Sequence, residues 1–194
     1  MRRVCVFCGS SAGTRAVYRD GARRLGELLA AGGLGLVYGG GHVGLMGVLA
    51  DAVLQGGGEV IGVIPQALVD RELAQLNLTR LEVVDTMHQR KAHMADLADA
   101  FAALPGGYGT ADELFEILTW AQLGLHARPI GLLNVAGFFD PVCRWLDHAV
   151  GEGFVRAEHR RLLLETDSPE ELLELLRRYR PPEPTAKWIE PDDR

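Results

Sequence analysis

AFAALPGGYGTADE, residues 100–113, passes from an apolar run through a cluster of glycines into a polar segment. The run Ala100–Leu104 is short and is bounded by proline and glycine, which is typical of a buried strand. Beyond Asp112, apolar residues recur at helical spacing, at Leu114, Ile117, Leu118 and Ala121. The segment therefore predicts a strand, a glycine-rich loop and a helix in succession.

The same alternation extends along the chain. Further strands are predicted at Arg3–Phe7, Leu34–Tyr38, Glu59–Ile64, Leu81–Val84, Ile130–Leu133 and Leu162–Glu165. Helices are predicted at Ala16–Ala31, Gly44–Gly56, His88–Leu97, Asp112–Leu125, Pro141–Gly151 and Pro169–Arg178. This order predicts an α/β, Rossmann-like, doubly wound and mainly parallel sheet with helices on both faces. We expect a single domain at residues 1–180, followed by a proline-rich tail at 181–194.

Composition and charge exclude several classes of protein. Of the 194 residues, 47% are hydrophobic, which is enough for one sizeable core. Because nonspecific nucleic-acid affinity comes from clustered Lys and Arg, the formal net charge of −6 argues against a nucleic-acid partner. No apolar run approaches the roughly 20 residues of a membrane span, and the first residues lack a signal-peptide pattern. We therefore expect a cytoplasmic protein without a membrane partner.

The chain has three cysteines, and two of them, Cys5 and Cys8, form a C-x-x-C pair. Cys5 alternates with apolar neighbours in the first predicted strand, and Cys8 lies at its end. A second pair of ligands, which a zinc site would need, does not accompany them. We expect both to be buried packing residues rather than redox or metal-binding groups.

In doubly wound sheets ligands bind at the carboxyl ends of the strands, so the loops that follow strands are candidate sites. The first such loop contains Cys8-Gly9-Ser10-Ser11, and the second, at residues 39–47, contains the pattern G-x-G-x-x-G. A dinucleotide site would need an acidic residue at the end of the next strand, but that strand ends in Pro65-Gln66. The glycines are better explained by close backbone approach to a mononucleotide.

The loop at residues 106–110, within the segment PGGYGTADE (105–113), is the strongest candidate for binding a phosphate. Three glycines, Gly106, Gly107 and Gly109, free the backbone to turn its amides inward, and the following helix start carries a partial positive charge. The loop lacks the Walker lysine of triphosphate hydrolases. An alternative interpretation is that Thr110 and Glu113 only form a capping box at the helix start.

Basic residues follow the fourth predicted strand, in MHQRKAHM, residues 87–94. Arg90 and Lys91 are the candidates here, although a solvated charge pair on a first helical turn is an equally simple interpretation. Lysine is scarce, since only Lys91 and Lys187 occur, and this argues against pyridoxal-phosphate chemistry. His88 and His93 are five residues apart, which does not suit a zinc site on one helix face.

Together these motifs resemble the LOG (Lonely Guy) family of cytokinin riboside 5′-monophosphate phosphoribohydrolases, which are often mislabelled as lysine decarboxylases. The resemblance covers roughly residues 3–160. It rests on the segments CVFCGSS (5–11), YGGG (38–41), GLMG (44–47), GVIP (62–65), MHQRK (87–91) and PGGYGTADE (105–113). It implies a Rossmann-like fold, a homodimer or larger homo-oligomer, and a reaction that needs neither cofactor nor metal.

The resemblance also implies roles for individual residues. Arg90 and Glu113 would be the catalytic pair. Substrate would be bound by Ser10, Gly39, Gly40, Gly41, Glu72, Met87, Lys91, Gly106, Gly107, Tyr108, Gly109, Thr110, Ala111, Asp112 and Thr119. Asp112 stands where many plant members carry Glu, which matters little because the required acid is the next residue.

The implied activity is hydrolysis of the N-glycosidic bond of cytokinin nucleoside 5′-monophosphates, including AMP-type substrates, to free base and ribose 5-phosphate. Such a reaction builds positive charge on the ribose, which the Glu113 carboxylate would stabilise, while Arg90 would position the substrate. An N3 carboxylate of the following helix would point toward the helix mouth, so capping and catalysis are compatible. The alternatives are a non-catalytic nucleotide sensor or carrier and a general purine monophosphate nucleosidase.

Overall fold

Seven parallel strands form one sheet in the order β4-β3-β2-β1-β5-β6-β7 in the computed structural model, which describes residues 1–71 and 73–182. The strands are β1 (Arg3–Phe7), β2 (Gly35–Tyr38), β3 (Val60–Pro65), β4 (Arg80–Val84), β5 (Ala100–Ala103), β6 (Ile130–Leu133) and β7 (Leu163–Thr166). Every predicted strand is present, with ends within one residue of those expected. The predicted fold class is confirmed.

Helices connect the strands. They are α1 (Ala16–Ala31), α2 (Gly44–Gln55), α3 (Gln66–Val69), α4 (Met87–Leu97), α5 (Tyr108–Gln122), α6 (Asp140–Gly151), α7 (Ala157–Arg160) and α8 (Pro169–Arg178), with a 3-10 turn at Val135–Gly137. The six long helices match those predicted, but α3, α7 and the 3-10 turn were not predicted because they are too short to show a period. The largest difference is at α5, which begins four residues earlier than expected.

The core consists of two layers, one on each face of the sheet. In β1 the side chains alternate, so that Val4 and Val6 face the layer formed with α1, α2 and α8, while Cys5 and Phe7 face the layer formed with α4, α5 and α6. Each leucine fully buried in these layers contributes about 1.5–3 kcal/mol. The doubly wound arrangement thus follows from strands that are apolar on both faces.

The two cysteines of the C-x-x-C pair are buried on opposite faces of the sheet, Cys5 with Phe7 and Cys8 with Val6. Both are free thiols, and burial raises the pKa of each well above its ordinary value. Their predicted role as packing residues is confirmed.

The end of the domain is described through Pro182. Helix α8 begins as its sequence indicates, since the Ser168 hydroxyl accepts a hydrogen bond from the Glu171 amide and Pro169 occupies the first turn. The domain boundary predicted at residue 180 stays a prediction, and residues 183–194 of the predicted tail lie outside the described residues. Among the described helices, none combines the length and the apolar character that crossing a bilayer requires.

Candidate active site

The order of the strands brings three glycine-rich loops together. The chain winds in one direction from β1 to β4 and in the other from β5 to β7, so the direction reverses between β1 and β5. The loops are joined there by backbone hydrogen bonds, since the Gly9 amide donates to the Pro105 carbonyl (3.0 Å) and the Leu45 amide donates to the Gly9 carbonyl (3.0 Å). Such a reversal point is where doubly wound sheets bind ligands.

A cleft of about 250 Å³ opens at this junction, on the α1 side of the sheet. The loop at Gly9–Gly13 and the loop at Pro105–Gly107 form two of its walls, and Tyr18, Leu45 and Phe138 complete it. Ser10 thus lines the same cleft as Gly106 and Gly107, and its role in binding substrate stays a prediction.

Two glycines in these loops are needed for close packing. An added Cβ at Gly44, where φ is +64°, would lie 2.3 Å from the Ser10 carbonyl carbon. An added Cβ at Gly106 would lie 2.1 Å from the Thr110 hydroxyl oxygen. Larger residues at either position would force the three loops apart.

The start of α5 differs from the prediction. Gly107 is the N-cap and Tyr108 the first helical residue, so Thr110 is the third residue of the helix and is buried beside Gly106. The capping-box interpretation of Thr110 and Glu113 is therefore wrong, as is the expectation that Glu113 is an N3 residue. Glu113 lies in the second turn, and the glycines that predicted a loop there are part of the helix start.

Glu113 is paired with Arg90. Arg90 Nη1 donates to Glu113 Oε1 at 2.9 Å, and the two side chains are only 10% and 8% exposed. Arg90 Nε also donates to the Val63 carbonyl at the end of β3 (3.1 Å). For Arg90, the interpretation as a solvated surface charge is wrong, because the guanidinium is buried and bonded to two separate elements.

The first turn of α4 fixes the direction of Arg90. Thr86 is the N-cap and forms a capping box with Gln89, in which the Thr86 hydroxyl accepts from the Gln89 amide (3.1 Å) and the Gln89 side chain accepts from the Thr86 amide (3.1 Å). The sequence Thr86-x-x-Gln89 carries this signal. The next residue, Arg90, then points to the carboxyl ends of β2 and β3.

Gly39 makes room for the guanidinium. An added Cβ at Gly39 would lie 1.9 Å from Arg90 Nη2. Arg90 is thus enclosed by β3, by α5 and by the loop that follows β2.

Burial raises the pKa of Glu113 above its ordinary value. The neighbouring Arg90 opposes this shift, whereas the negative charge of Asp112 adds to it. The Glu113 carboxylate is therefore a stronger base than an exposed one, because the free-energy cost of burying its charge outweighs the attraction of the guanidinium.

Lys91 points to α5. Its ammonium forms ion pairs of 3.0 Å with both Asp112 and Glu116, and its side chain is 10% exposed. Burial opposes protonation, but hydrogen bonds to the two carboxylates more than offset it and raise the pKa of Lys91. Glu116 is not among the predicted site residues, although it stands one helical turn after Asp112 on the same face.

The other predicted substrate-binding residues are placed as follows. Gly39, Gly40 and Gly41 connect β2 to α2, next to Arg90. Met87 and Tyr108 are exposed at the starts of α4 and α5, and Ala111 and Asp112 are exposed on the first turns of α5.

Thr119 lies near the other end of α5, where its hydroxyl donates to the Phe115 carbonyl (2.7 Å), so the structure does not bring it to the Arg90–Glu113 pair. Glu72 lies outside the described residues.

Within residues 1–71 and 73–182, no three His, Cys, Asp or Glu side chains are grouped so that they could hold a metal ion.

Comparison with known proteins gives a family match. Residues 46–176 match the family described as possible lysine decarboxylase. A probable cytokinin riboside 5′-monophosphate phosphoribohydrolase of Oryza sativa subsp. japonica is 52% identical over 180 residues, which are 93% of this chain and 74% of the relative. A cytokinin riboside 5′-monophosphate phosphoribohydrolase of Arabidopsis thaliana is 51% identical over 93% of this chain and 84% of its own length.

Solved structures of lower identity share the fold. A molybdenum cofactor carrier protein of Chlamydomonas reinhardtii has a TM-score of 0.70 at 19% identity, covering 91% of this chain and 96% of its own. A molybdenum cofactor binding protein of Rippkaea orientalis has a TM-score of 0.68 at 20% identity, covering 91% and 95%. At these identities the likeness concerns the fold alone. The extent and identity of the sequence matches place this chain in the LOG family of cytokinin riboside 5′-monophosphate phosphoribohydrolases.

Proposed function

We propose that this protein hydrolyses the N-glycosidic bond of nucleoside 5′-monophosphates, cytokinin riboside 5′-monophosphates among them, and releases the free base and ribose 5-phosphate. The observation that carries the proposal is the buried Arg90–Glu113 pair at the carboxyl end of the sheet, next to three glycine-rich loops. The named activity of relatives about 50% identical supports it.

The reaction breaks the bond between the ribose C1′ and the base nitrogen, and the bonding electrons leave with the base. Positive charge therefore develops on the ribose, where the Glu113 carboxylate stabilises it. Glu113 also orients the attacking water and accepts its proton as the water oxygen bonds to C1′. The raised pKa of Glu113 suits it to accept that proton.

Arg90 serves the same reaction in a different way. A guanidinium stays protonated at all working pH values, so Arg90 does not act as the proton donor to the base. Its contacts with Val63 and Glu113 hold it in one place, where it positions the substrate and stabilises negative charge on the departing base. The departing base takes its proton from solvent.

The phosphate binds at the start of α5. The amides of Tyr108, Gly109 and Thr110 belong to the first turn, whose N–H groups have no partner within an α-helix, and they add to the positive end of the helix dipole. Binding energy from the phosphate then aligns the sugar against Glu113. A nucleoside without the phosphate should lose kcat/KM heavily.

Lysine decarboxylation is disfavoured by the geometry of Lys91. A Schiff-base lysine must be neutral to attack the aldehyde of pyridoxal phosphate. Lys91 is instead held by Asp112 and Glu116, which favour its charged form.

We also propose that the protein works as a homodimer or larger homo-oligomer in the cytoplasm. Support for association comes from apolar side chains exposed at the end of α5, where Leu123 is 50% and Leu125 is 69% exposed. Three free, buried cysteines suit a reducing compartment. Light scattering of the purified protein measures the oligomer, and cell fractionation measures the location.

The activity is tested by incubating the protein with AMP and, separately, with N6-isopentenyladenosine 5′-monophosphate, and separating the products by chromatography. We expect free base and ribose 5-phosphate from the wild type. Glu113→Gln should abolish the reaction, whereas Glu116→Gln, which removes a partly buried acid that is paired with Lys91 on the same helix, is the matched comparison. Binding of both nucleotides without cleavage would replace the hydrolase with a sensor or carrier, and equal rates on the two would indicate a general purine monophosphate nucleosidase.

A further inference from the structure

The segment Leu73–Gln75 is paired with the glycine loop that follows β2. The backbone amide of Gln75 donates to the Gly40 carbonyl (2.8 Å), and the backbone amide of His42 donates to the Leu73 carbonyl (3.1 Å). Between these two bonds, Ala74 forms an antiparallel bridge with Gly41. The segment thus lies antiparallel to residues 40–42 and is joined to them by an isolated β-bridge. The position of the predicted substrate-binding loop therefore depends on where this segment is held.

The Gln75 side chain holds the segment in place. It is only 5% exposed. Its amide oxygen accepts a hydrogen bond from the Tyr38 hydroxyl (3.0 Å), and its amide nitrogen donates to Asp51 Oδ1 (2.8 Å). Burial raises the pKa of Tyr38, which keeps the hydroxyl neutral and able to donate. Gln75 therefore connects the end of β2 with α2.

These contacts lie on the opposite face of the sheet from Arg90. Tyr38 packs in the layer formed with α1 and α2, and the next residue, Gly39, faces the Arg90 guanidinium. The loop is consequently fixed on one face by Gln75 and bounded on the other by Arg90. Gly40, with φ at +73°, forms the turn between the two.

We propose that Gln75 is a positioning residue that holds the Gly39–Gly41 loop in its substrate-binding conformation, an inference that rests on the hydrolase function proposed above. The side-chain amide of Gln75 accepts from Tyr38 through its oxygen and donates to Asp51 through its nitrogen at the same time. Leucine can do neither, and glutamate can accept but places a second carboxylate against Asp51.

Gln75→Glu should raise KM for AMP about tenfold, the effect of losing roughly one hydrogen bond. kcat should stay within about twofold of the wild type, because Val63 and Glu113 still hold Arg90. Asp51→Asn alone keeps an acceptor and should leave KM unchanged. The double replacement Gln75→Glu with Asp51→Asn exchanges donor and acceptor across the same contact, and it should return KM to near the wild-type value.

A merely structural role predicts a different result. Partial unfolding lowers the amount of active enzyme, so it would reduce kcat and leave KM unchanged. Hydrogen exchange without substrate gives a second readout, since amides of residues 39–45 should exchange faster in Gln75→Glu and return to the wild-type rate in the double replacement.

Unchanged KM and unchanged exchange in Gln75→Glu would overturn the proposal, as would a double replacement that restores neither. Because the exchange measurement needs no turnover, it separates this inference from the proposed activity. If the wild type cleaves no nucleotide, the hydrolase proposal fails, and the same variants then test the loop through exchange and through AMP affinity measured by calorimetry.

Discussion

Arg90 Nη2 occupies the space that a side chain at Gly39 would need, with only 1.9 Å between that nitrogen and the position of an added Cβ. The guanidinium cannot move freely away, because Nε is bonded to the Val63 carbonyl and Nη1 to Glu113. The absence of a side chain at residue 39 thus decides where the charge of Arg90 lies.

Gly39→Ala should therefore displace Arg90 and lower kcat/KM for AMP at least about 100-fold, the cost expected of misplacing a reacting group by about 1 Å. Gly151→Ala is the matched control, since an added Cβ at this residue at the end of α6 meets no atom within 4 Å. Steady-state kinetics of both variants measure the effect. Activity of Gly39→Ala equal to that of the control would contradict the role given to Arg90.

Breaking the Arg90–Glu113 pair from one side should destabilise the fold. Arg90→Met leaves a buried carboxylate without its partner, and we expect a loss of about 3–5 kcal/mol in the free energy of unfolding. Adding Glu113→Leu removes the unpaired charge and should recover most of this loss, but no activity. Urea denaturation with parallel activity assays checks both statements; a double variant less stable than Arg90→Met would count against them.

The rate should depend on pH through Glu113. The carboxylate form is the active one and burial raises the pKa of Glu113 above 4.5, so kcat/KM should fall on the acid side with a midpoint above that value. Asp112→Asn removes a charge that raises this pKa and should move the midpoint to lower pH. The pH profile of kcat/KM for AMP measures it, and an identical midpoint in the two proteins is the contrary outcome.

The same shift has a consequence for stability. A carboxyl with a raised pKa in the folded state stabilises the protein most below its unfolded-state pKa, near 4.5, and this contribution is lost as pH rises through the folded-state pKa. As the pH rises from about 4.5 through the folded-state pKa of Glu113, the free energy of unfolding of the wild type should therefore fall relative to that of Glu113→Gln. Denaturation curves of both proteins at pH values from about 4 to 8 measure how this difference changes with pH. Linkage requires that the change have this sign.

Thr86 should affect catalysis through α4. Thr86→Ala removes the cap of the helix that carries Arg90 and should cost about 1 kcal/mol of stability, together with a fall in kcat. Ser168→Ala removes the cap of α8, far along the chain from the site, and should cost a similar amount of stability with unchanged kcat. Thermal denaturation and kinetics compare the two, and an equal kcat in both variants would show that the Thr86 cap has no bearing on Arg90.

The parts of the fold that the sequence predicted well are those with a long, regular pattern. Apolar runs such as Ala100–Ala103 identified every strand, and the periodicity of α1 and α8 identified both helices to the residue. The start of α5 was predicted too late because glycine is a poor helix former. In the structure Gly109 lies in the first turn of α5, next to Thr110, which packs against Gly106.

For the site, sequence motifs identified Arg90 and Glu113 but not their surroundings. The Val63 carbonyl, the Gly39 contact and the Gln75 network all join residues far apart in the chain, which no local pattern reports. For Lys91 the motif predicts a substrate contact, which stays a prediction, but it does not report the ion pairs of the ammonium with Asp112 and Glu116.

The position of β1 at the centre of the sheet also affects how the chain is made. β1 pairs with β2 on one side and with β5 on the other, and Cys5 lies opposite Phe101, almost a hundred residues later. During synthesis at about 5–20 residues per second, the open edge of β1 therefore waits several seconds for its second partner to leave the ribosome. Until β5 is made, this edge of β1 exposes the unpaired backbone groups of an apolar strand. Nascent-chain chaperones bind such surfaces, and misfolded chains aggregate through them.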